Sequence, residues 1–307
     1  MRRAALLVSC ALVLSACGGE DPAPETPQSV SPTGSALPTT AAPSGSPSHD
    51  EEPESTEDPM TMLIIGVDRD TGTQRADVIM LVRIDNEREH AYAMSIHRDT
   101  WVDIPGYGQN KINASFAYGG EELLAETVDL LYSADIDHTV VVDFDAFTEL
   151  SQILGPITVE TADGPVVLEG DEALSFVRER YSLPGGDFDR VRRQQAYLAA
   201  AADAVRNASP AERADLAAMV GDYVTVDGAG GFAVYSLVLS LITETEGIEG
   251  VFFSAPHDGT GWSDDGQSIV LVDEDAAVGL ASAYEDDTVD EWLSENEAET
   301  LDSRPLR

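Results

Sequence analysis

The chain has 307 residues, with 17 Lys+Arg against 57 Asp+Glu and a formal net charge of -40. A hydrophobic fraction of 43% suffices for a buried core and excludes a disordered acidic polymer. The acidity excludes a broad basic face of the kind that binds nucleic acid or anionic lipid, so no nucleic-acid partner is expected.

Arg2 and Arg3, the apolar run Ala4 to Leu14, and Leu14-Ser15-Ala16-Cys17 come first. They resemble a bacterial lipoprotein signal, cleaved before Cys17, whose sulfur then carries the lipid; the alternative is an ordinary secretory signal with a chance cysteine. Residues 1–16 are thus expected to be a signal. Cys17 and residues up to 59 form an acidic Pro/Ser/Thr stalk, 60–297 the functional domain, and 298–307 a tail. The expected location is the extracytoplasmic face of the membrane, with Cys17 as the membrane attachment.

The continuous apolar run Thr61–Val67 reads as a central strand. Asp77–Ile84 and Ala91–Ile96 read as strands flanking a turn at Asn86. Glu121–Leu131 has helical periodicity, His138–Val142 is a strand, and Phe144–Leu154 a helix stopped by Gly155-Pro156. Then follow a short strand at Ile157–Val159, a short helix from Asp171, a long one over Asp187–Arg206, and one over Pro210–Met219 capped by Ser209. A helix near 231–244, strands at Val251–Phe253 and Ile269–Val272, and helices near 274–284 and 289–295 complete an α/β layered domain with a mixed sheet.

The basic residues carry the chemistry. Lys111 is the one lysine, and ten of the sixteen arginines fall within 69–98 and 178–193. Asp68 and Asp77 at strand ends suit a hard divalent cation. Arg98 and Asp99 follow the third strand and could pair with one another. Pro184-Gly185-Gly186 reads as a flexible loop before Asp187, and Arg190, Arg193 and Gln194 at i, i+3 and i+4 share a helix face. No acid follows until Asp203, so that face reads as uncompensated. Guanidiniums concentrated in an acidic chain imply a bound polyanion, and phosphate or pyrophosphate with Mg²⁺ is the chemistry they suit.

The strings Ile65-Gly66-Val67-Asp68, Arg75-Ala76-Asp77-Val78, Arg98-Asp99-Thr100, Lys111-Ile112-Asn113-Ala114, Tyr118-Gly119-Gly120, Ala173-Leu174-Ser175-Phe176-Val177-Arg178-Glu179-Arg180 and Gly186-Asp187-Phe188-Asp189-Arg190 resemble the LytR-CpsA-Psr family, in unbroken order over roughly 61–285. The resemblance implies a three-layer α/β/α sandwich with a central mixed sheet and a polyprenyl-binding groove. It implies transfer of an anionic glycopolymer from a polyprenyl-pyrophosphate carrier, the donor, to peptidoglycan, the acceptor, leaving a phosphodiester. It further implies Mg²⁺, with Mn²⁺ as a substitute, on Asp68 and Asp77. Catalytic roles fall to Arg75, Asp77, Arg98, Arg178 and Arg180. Pyrophosphate contacts fall to Arg75, Arg98, Arg178, Arg180, Asp187, Arg190 and Gln194. His97 stands where the family usually has proline, and Ala76 where serine or threonine is common. A pyrophosphatase using water as acceptor, and a lipoprotein that binds the anion without turnover, are the alternatives. The polymer itself is not specified by these residues.

Overall fold

The computed structural model describes residues 59–67, 75–228 and 247–307. The signal, the stalk, Asp68 and the helix expected near 231–244 lie outside them. In chain order the elements are β1 (Met60–Val67), β2 (Ala76–Ile84), β3 (His90–Ser95), β4 (Trp101–Ile104), β5 (Gly108–Lys111), α1 (Asn113–Tyr132), β6 (His138–Asp143) and α2 (Phe144–Leu154). These are followed by β7 (Ile157–Thr161), β8 (Gly164–Leu168), α3 (Gly170–Arg178), α4 (Asp187–Asn207), α5 (Pro210–Tyr223), β9 (Val224–Val226), β10 (Glu249–Ser254), β11 (His257–Trp262), β12 (Ser268–Val272), α6 (Glu274–Asp286) and α7 (Val289–Glu295).

Six strands form the central sheet in the order β10-β3-β2-β1-β6-β9. β1 runs parallel to β6 and antiparallel to β2; β3 is antiparallel to β2 and parallel to β10; β9 is antiparallel to β6. The sheet is mixed, as its sequence pattern predicts. These directions bring the carboxyl ends of β1, β3, β6 and β10 and the amino end of β2 to one edge. In sheets of this kind that edge is where loops build sites.

Period-two alternation explains why β1 is apolar throughout. Met62 and Ile64 pack with Leu150 of α2, Val205 of α4 and Leu216 of α5, whereas Leu63 and Ile65 pack with Leu124 of α1, Leu280 of α6 and Trp292 of α7. Helices thus cover both faces, giving the three-layer sandwich. A smaller cluster joins the β7–β8 hairpin and α3 to Tyr197 and Ala201 of α4.

Three features depart from the sequence reading. β4–β5, β8, β9 and β11 are strands that the sequence does not announce, being short segments placed by their strand partners. α1 begins at Asn113, eight residues before the periodic stretch, and breaks at Gly119 and Gly120, whose backbones are non-helical. Residues 298–307, set apart as a tail, lie against the domain: Thr300 bridges to Phe253, and Ala162 N–H donates to the Leu306 carbonyl at 2.7 Å. No helix among the described residues is long and apolar enough to cross a membrane.

Candidate functional site

At the sheet edge just described, Arg98, Arg180 and Arg190, from separate elements, lie near one another. Asp77 arrives there through an irregularity in the strand pairing. Gly66 opposes Val78 and Val67 opposes Ala76, so Asp77 is the extra residue of a bulge. Bulges re-aim a side chain, and here the Asp77 carboxylate accepts a hydrogen bond from Arg98 Nη1. Arg98 follows β3, in parallel with the end of β10.

Asp187 and Arg190 occupy the first turn of α4, three residues apart. Arg190 Nη2 lies 2.6 Å from Asp187 Oδ1, and Arg98 Nε lies 3.9 Å from the same oxygen. Asp187 therefore joins the two guanidiniums, and Arg98 joins Asp187 to Asp77. Arg190 is only 6% exposed. Burial pushes its guanidinium below the ordinary value, Asp187 opposes that shift, and Arg98 adds to it; a guanidinium stays charged through such a shift. The 2.6 Å approach lacks hydrogen-bond alignment. Among the described residues, Arg98 Nε, Arg190 Nε and both Asp187 carboxylate oxygens are buried without a hydrogen-bond partner. Buried polar groups are normally satisfied; of these atoms the Arg98 and Arg190 Nε–H groups are donors left for an anionic ligand, whereas the Asp187 carboxylate is already ion-paired to both arginines.

Arg180 lies in the α3–α4 loop. It donates to the Tyr181 hydroxyl at 2.7 Å and stands over that ring at 4.7 Å. The hydrogen bond from Arg180 holds the Tyr181 phenol below its usual range. Arg178 ends α3 and Arg75 precedes β2, both exposed. Asp68, the other expected metal ligand, falls outside the described residues.

Behind Arg98 sits His97, 1% exposed, with Phe188 at 4.4 Å and His257 at 5.4 Å between ring centroids. Burial above all, then the charges of His257 and Arg190, pushes its imidazole down to about 3, so it is neutral near pH 7. This aromatic wedge joins the ends of β3 and β10 to the first turn of α4. Nothing in the local sequence announces it, because its three rings are far apart in the chain.

Several expectations are corrected here. The Pro184-Gly185-Gly186 segment is specified by contacts and not simply flexible. The Gly185 N–H donates to Asp189 Oδ2 at 2.8 Å, and a Cβ at Gly185 would meet that carboxylate at 2.8 Å. Gly186 has φ +57°, a conformation that favours glycine. The face Arg190-Arg193-Gln194 is not one uncompensated basic patch. Arg193 donates to the Arg307 carbonyl at 2.7 Å and lies over Phe176, and Gln194 donates to the Val177 carbonyl at 3.2 Å. Gln194 thus ties α4 to α3, and the acid that compensates Arg190 is upstream, at Asp187. Asp99 pairs with Lys111 at 3.0 Å; the acids that hold Arg98 are Asp77 and Asp187.

Comparison with known proteins gives a consistent picture. The family described as LytR_cpsA_psr family matches residues 35–277. A polyisoprenyl-teichoic acid–peptidoglycan teichoic acid transferase, TagU of Halalkalibacterium halodurans, is 36% identical over 156 residues, covering 46% of this chain and 51% of that protein. Regulatory protein MsrR of Staphylococcus aureus is 38% identical over 151 residues, 44% of this chain and 46% of MsrR. The chain therefore spans about half the length of the curated relatives it matches. Among solved structures, B. subtilis TagV superposes with a TM-score of 0.63 at 23% identity, covering 76% of this chain and 98% of TagV. TagT bound to LIIa-WTA superposes at 0.61 and 22% identity, over 78% of this chain and 95% of that one. At such identities the structural likeness speaks for the fold.

Proposed function

The chain belongs to the LytR-CpsA-Psr family, and from that premise we propose that it transfers an anionic glycopolymer from a polyprenyl-pyrophosphate carrier to peptidoglycan. The observation that carries the reading is the pair of buried guanidinium N–H groups without a hydrogen-bond partner, Arg98 Nε and Arg190 Nε, at the sheet edge. Arginine N–H groups match phosphate oxygens in fork geometry, which a pyrophosphate would satisfy. The name of TagU, a transferase acting on polyisoprenyl-linked teichoic acid, supports the same class of reaction.

In this reading Arg98 and Arg190 bind the pyrophosphate from the buried side. Arg75, Arg178 and Arg180 approach from the exposed rim, and Asp187 keeps the inner pair oriented. Asp77 fits as a ligand for Mg²⁺: it is a strand-end carboxylate with one oxygen on Arg98 and the other available to a hard cation. Among the described residues no group of three or more His, Cys, Asp or Glu gathers for a metal. A hard cation of this kind is held by one or two carboxylates, here Asp77 and Asp68, together with substrate phosphates. When bound, Mg²⁺ would supply charge neutralisation on the phosphate oxygens.

A sugar hydroxyl of the acceptor attacks the phosphorus that bears the glycan. The bond from that phosphorus to the bridging oxygen breaks, and polyprenyl phosphate leaves with the electron pair. The hydroxyl proton passes to water or to a carboxylate such as Asp77, and a phosphodiester remains. The protein contributes positioning and charge stabilisation. Lipidation at Cys17 would hold the domain at the outer face of the membrane, where both substrates would be met, and a groove for the polyprenyl chain belongs to the same proposal.

The test is release of polyprenyl phosphate from a synthetic pyrophosphate-linked donor, with and without peptidoglycan. Arg98→Ala and Arg190→Ala should each lower turnover by about 10³-fold, and chelation of Mg²⁺ should abolish it. Undiminished turnover in both variants would overturn the arginine assignment. Release that ignores added peptidoglycan and yields only free glycan phosphate would make the protein a pyrophosphatase.

A further inference from the structure

The exposed large aromatics among the described residues are Tyr107, Tyr118, Tyr181 and Trp262. Of these, Tyr107 lies on the hairpin that follows β3 and Trp262 on the one that follows β10. Two of the four form a built pair. Tyr107, in the β4–β5 turn, is 57% exposed, and Tyr118, in the first part of α1, is 43% exposed. Their rings stack with centroids 4.6 Å apart and planes 15° off parallel. Asn110 Nδ2 donates to the Tyr118 hydroxyl at 2.8 Å, and the Tyr107 hydroxyl reaches the Tyr118 carbonyl at 3.5 Å. Gly119 and Gly120 then break the helix immediately beyond Tyr118.

This pair is mechanically joined to the arginine site. β4 starts three residues after Arg98, and Trp101 pairs with Lys111 at the hairpin base. Lys111 binds Asp99 at 3.0 Å, Ile112 N–H donates to the Thr100 carbonyl at 2.8 Å, and Asn113 N–H to the Arg98 carbonyl at 3.2 Å. Four residues of strand at about 3.3 Å each place the turn roughly 13 Å from that base, within reach of a short run of sugar units.

Two stacked rings held in water by hydrogen bonds add little to the core, and exposed apolar patches of this kind mark interaction sites. A pyranose has an apolar C–H face that an aromatic ring can cover and a hydroxyl edge that amides such as those of Asn110 and Gln109 can bind. Charge decides which saccharide. Asp103 lies exposed on the same hairpin, and Lys111 at its base is paired with Asp99. An anionic polymer laid along it would be repelled, whereas an uncharged glycan backbone would not.

We propose that the Tyr107–Tyr118 pair is a stacking platform for the neutral glycan strand of the acceptor, holding it while a hydroxyl reaches the arginine cluster. The proposal rests on the transferase reading for its purpose, but its binding prediction can be tested alone. The probe is a β-1,4-linked N-acetylglucosamine tetrasaccharide titrated calorimetrically into the full chain. The Tyr107→Ala/Tyr118→Ala double variant, checked by thermal melting, should bind it about tenfold more weakly. Tyr118→Phe, which keeps the ring, should bind nearly as the unaltered chain does. Arg98→Ala should also bind the tetrasaccharide normally, so failure of the transferase chemistry and failure of the platform give different results. Equal binding by the double alanine variant would overturn the platform. So would loss of binding to phosphatidylcholine vesicles with saccharide binding intact, which would make the patch a membrane contact. Binding of an anionic phosphoglycan to Arg98→Ala that is tighter than that of the neutral probe and is lost in the Tyr107→Ala/Tyr118→Ala background would overturn the choice of ligand.

Discussion

Arg192 offers the sharpest test of how α4 is held in place. It is 1% exposed, and its guanidinium donates to the carbonyls of Leu301 at 2.7 Å, Arg304 at 2.6 Å and Pro305 at 3.3 Å. Arg304 in turn donates to Asp189 at 3.1 Å, whose other oxygen accepts from the Gly185 N–H. A chain of contacts thus runs from residues 299–307 to the turn that presents Asp187 and Arg190. Replacing Arg192 with Met keeps most of the stem and removes the donors. Three hydrogen bonds from a charged donor, at about 1.5–3 kcal/mol each, set an upper bound of roughly 4.5–9 kcal/mol. Two effects reduce it: the guanidinium no longer has to be desolvated, and the released carbonyls can rehydrate as the segment detaches. A net loss of about 2–4 kcal/mol is expected. Urea denaturation measures the stability, and hydrogen exchange at the Ala162 amide, which donates to the Leu306 carbonyl, reports release of the segment. A loss below about 0.5 kcal/mol with unchanged protection at Ala162 would refute the strap.

Three further outcomes follow from the same contacts. The His97 imidazole is pushed down to about 3, from roughly 6.5 in the unfolded chain. Its contribution to stability is complete above about pH 6.5 and is lost progressively as pH falls toward 3. Between pH 7 and 4 the unaltered protein should lose on the order of 3 kcal/mol more than His97→Phe, measured by denaturant titration at each pH. A Cβ on Gly66 would meet the Val78 Cβ at 2.8 Å. Gly66→Ala should therefore destabilise by about 1–3 kcal/mol in thermal melts, with partial recovery when Val78 is shortened to alanine. Ser209 accepts from Glu212 N–H at 3.3 Å while the Glu212 carboxylate accepts from Ser209 N–H at 2.7 Å. Ser209→Ala should cost about 1 kcal/mol by denaturation, and faster amide exchange in the first turn of α5 would locate the loss.

Local sequence determined much of this protein. The apolar run of β1, the helical period of α4, the Gly155-Pro156 stop after α2 and the Ser209 cap each act over a few residues, so the sequence alone locates them. The two windows that hold most of the arginines are likewise visible in the sequence alone. Tertiary structure decided where the arginines point. Arg190 and Arg192 are two residues apart on one helix, yet one faces Asp187 and the other binds carbonyls of residues 301–305. Charge composition cannot separate them, because helical rotation and the groups packed opposite determine their partners. The same holds for Asp77, re-aimed by a bulge that exists only through its pairing with β1, and for Tyr107 and Tyr118, which are stacked by the fold of a short hairpin against the start of α1. Short-range steric and hydrophobic patterns are written along the chain; the direction of a charged side chain depends on residues a hundred positions away.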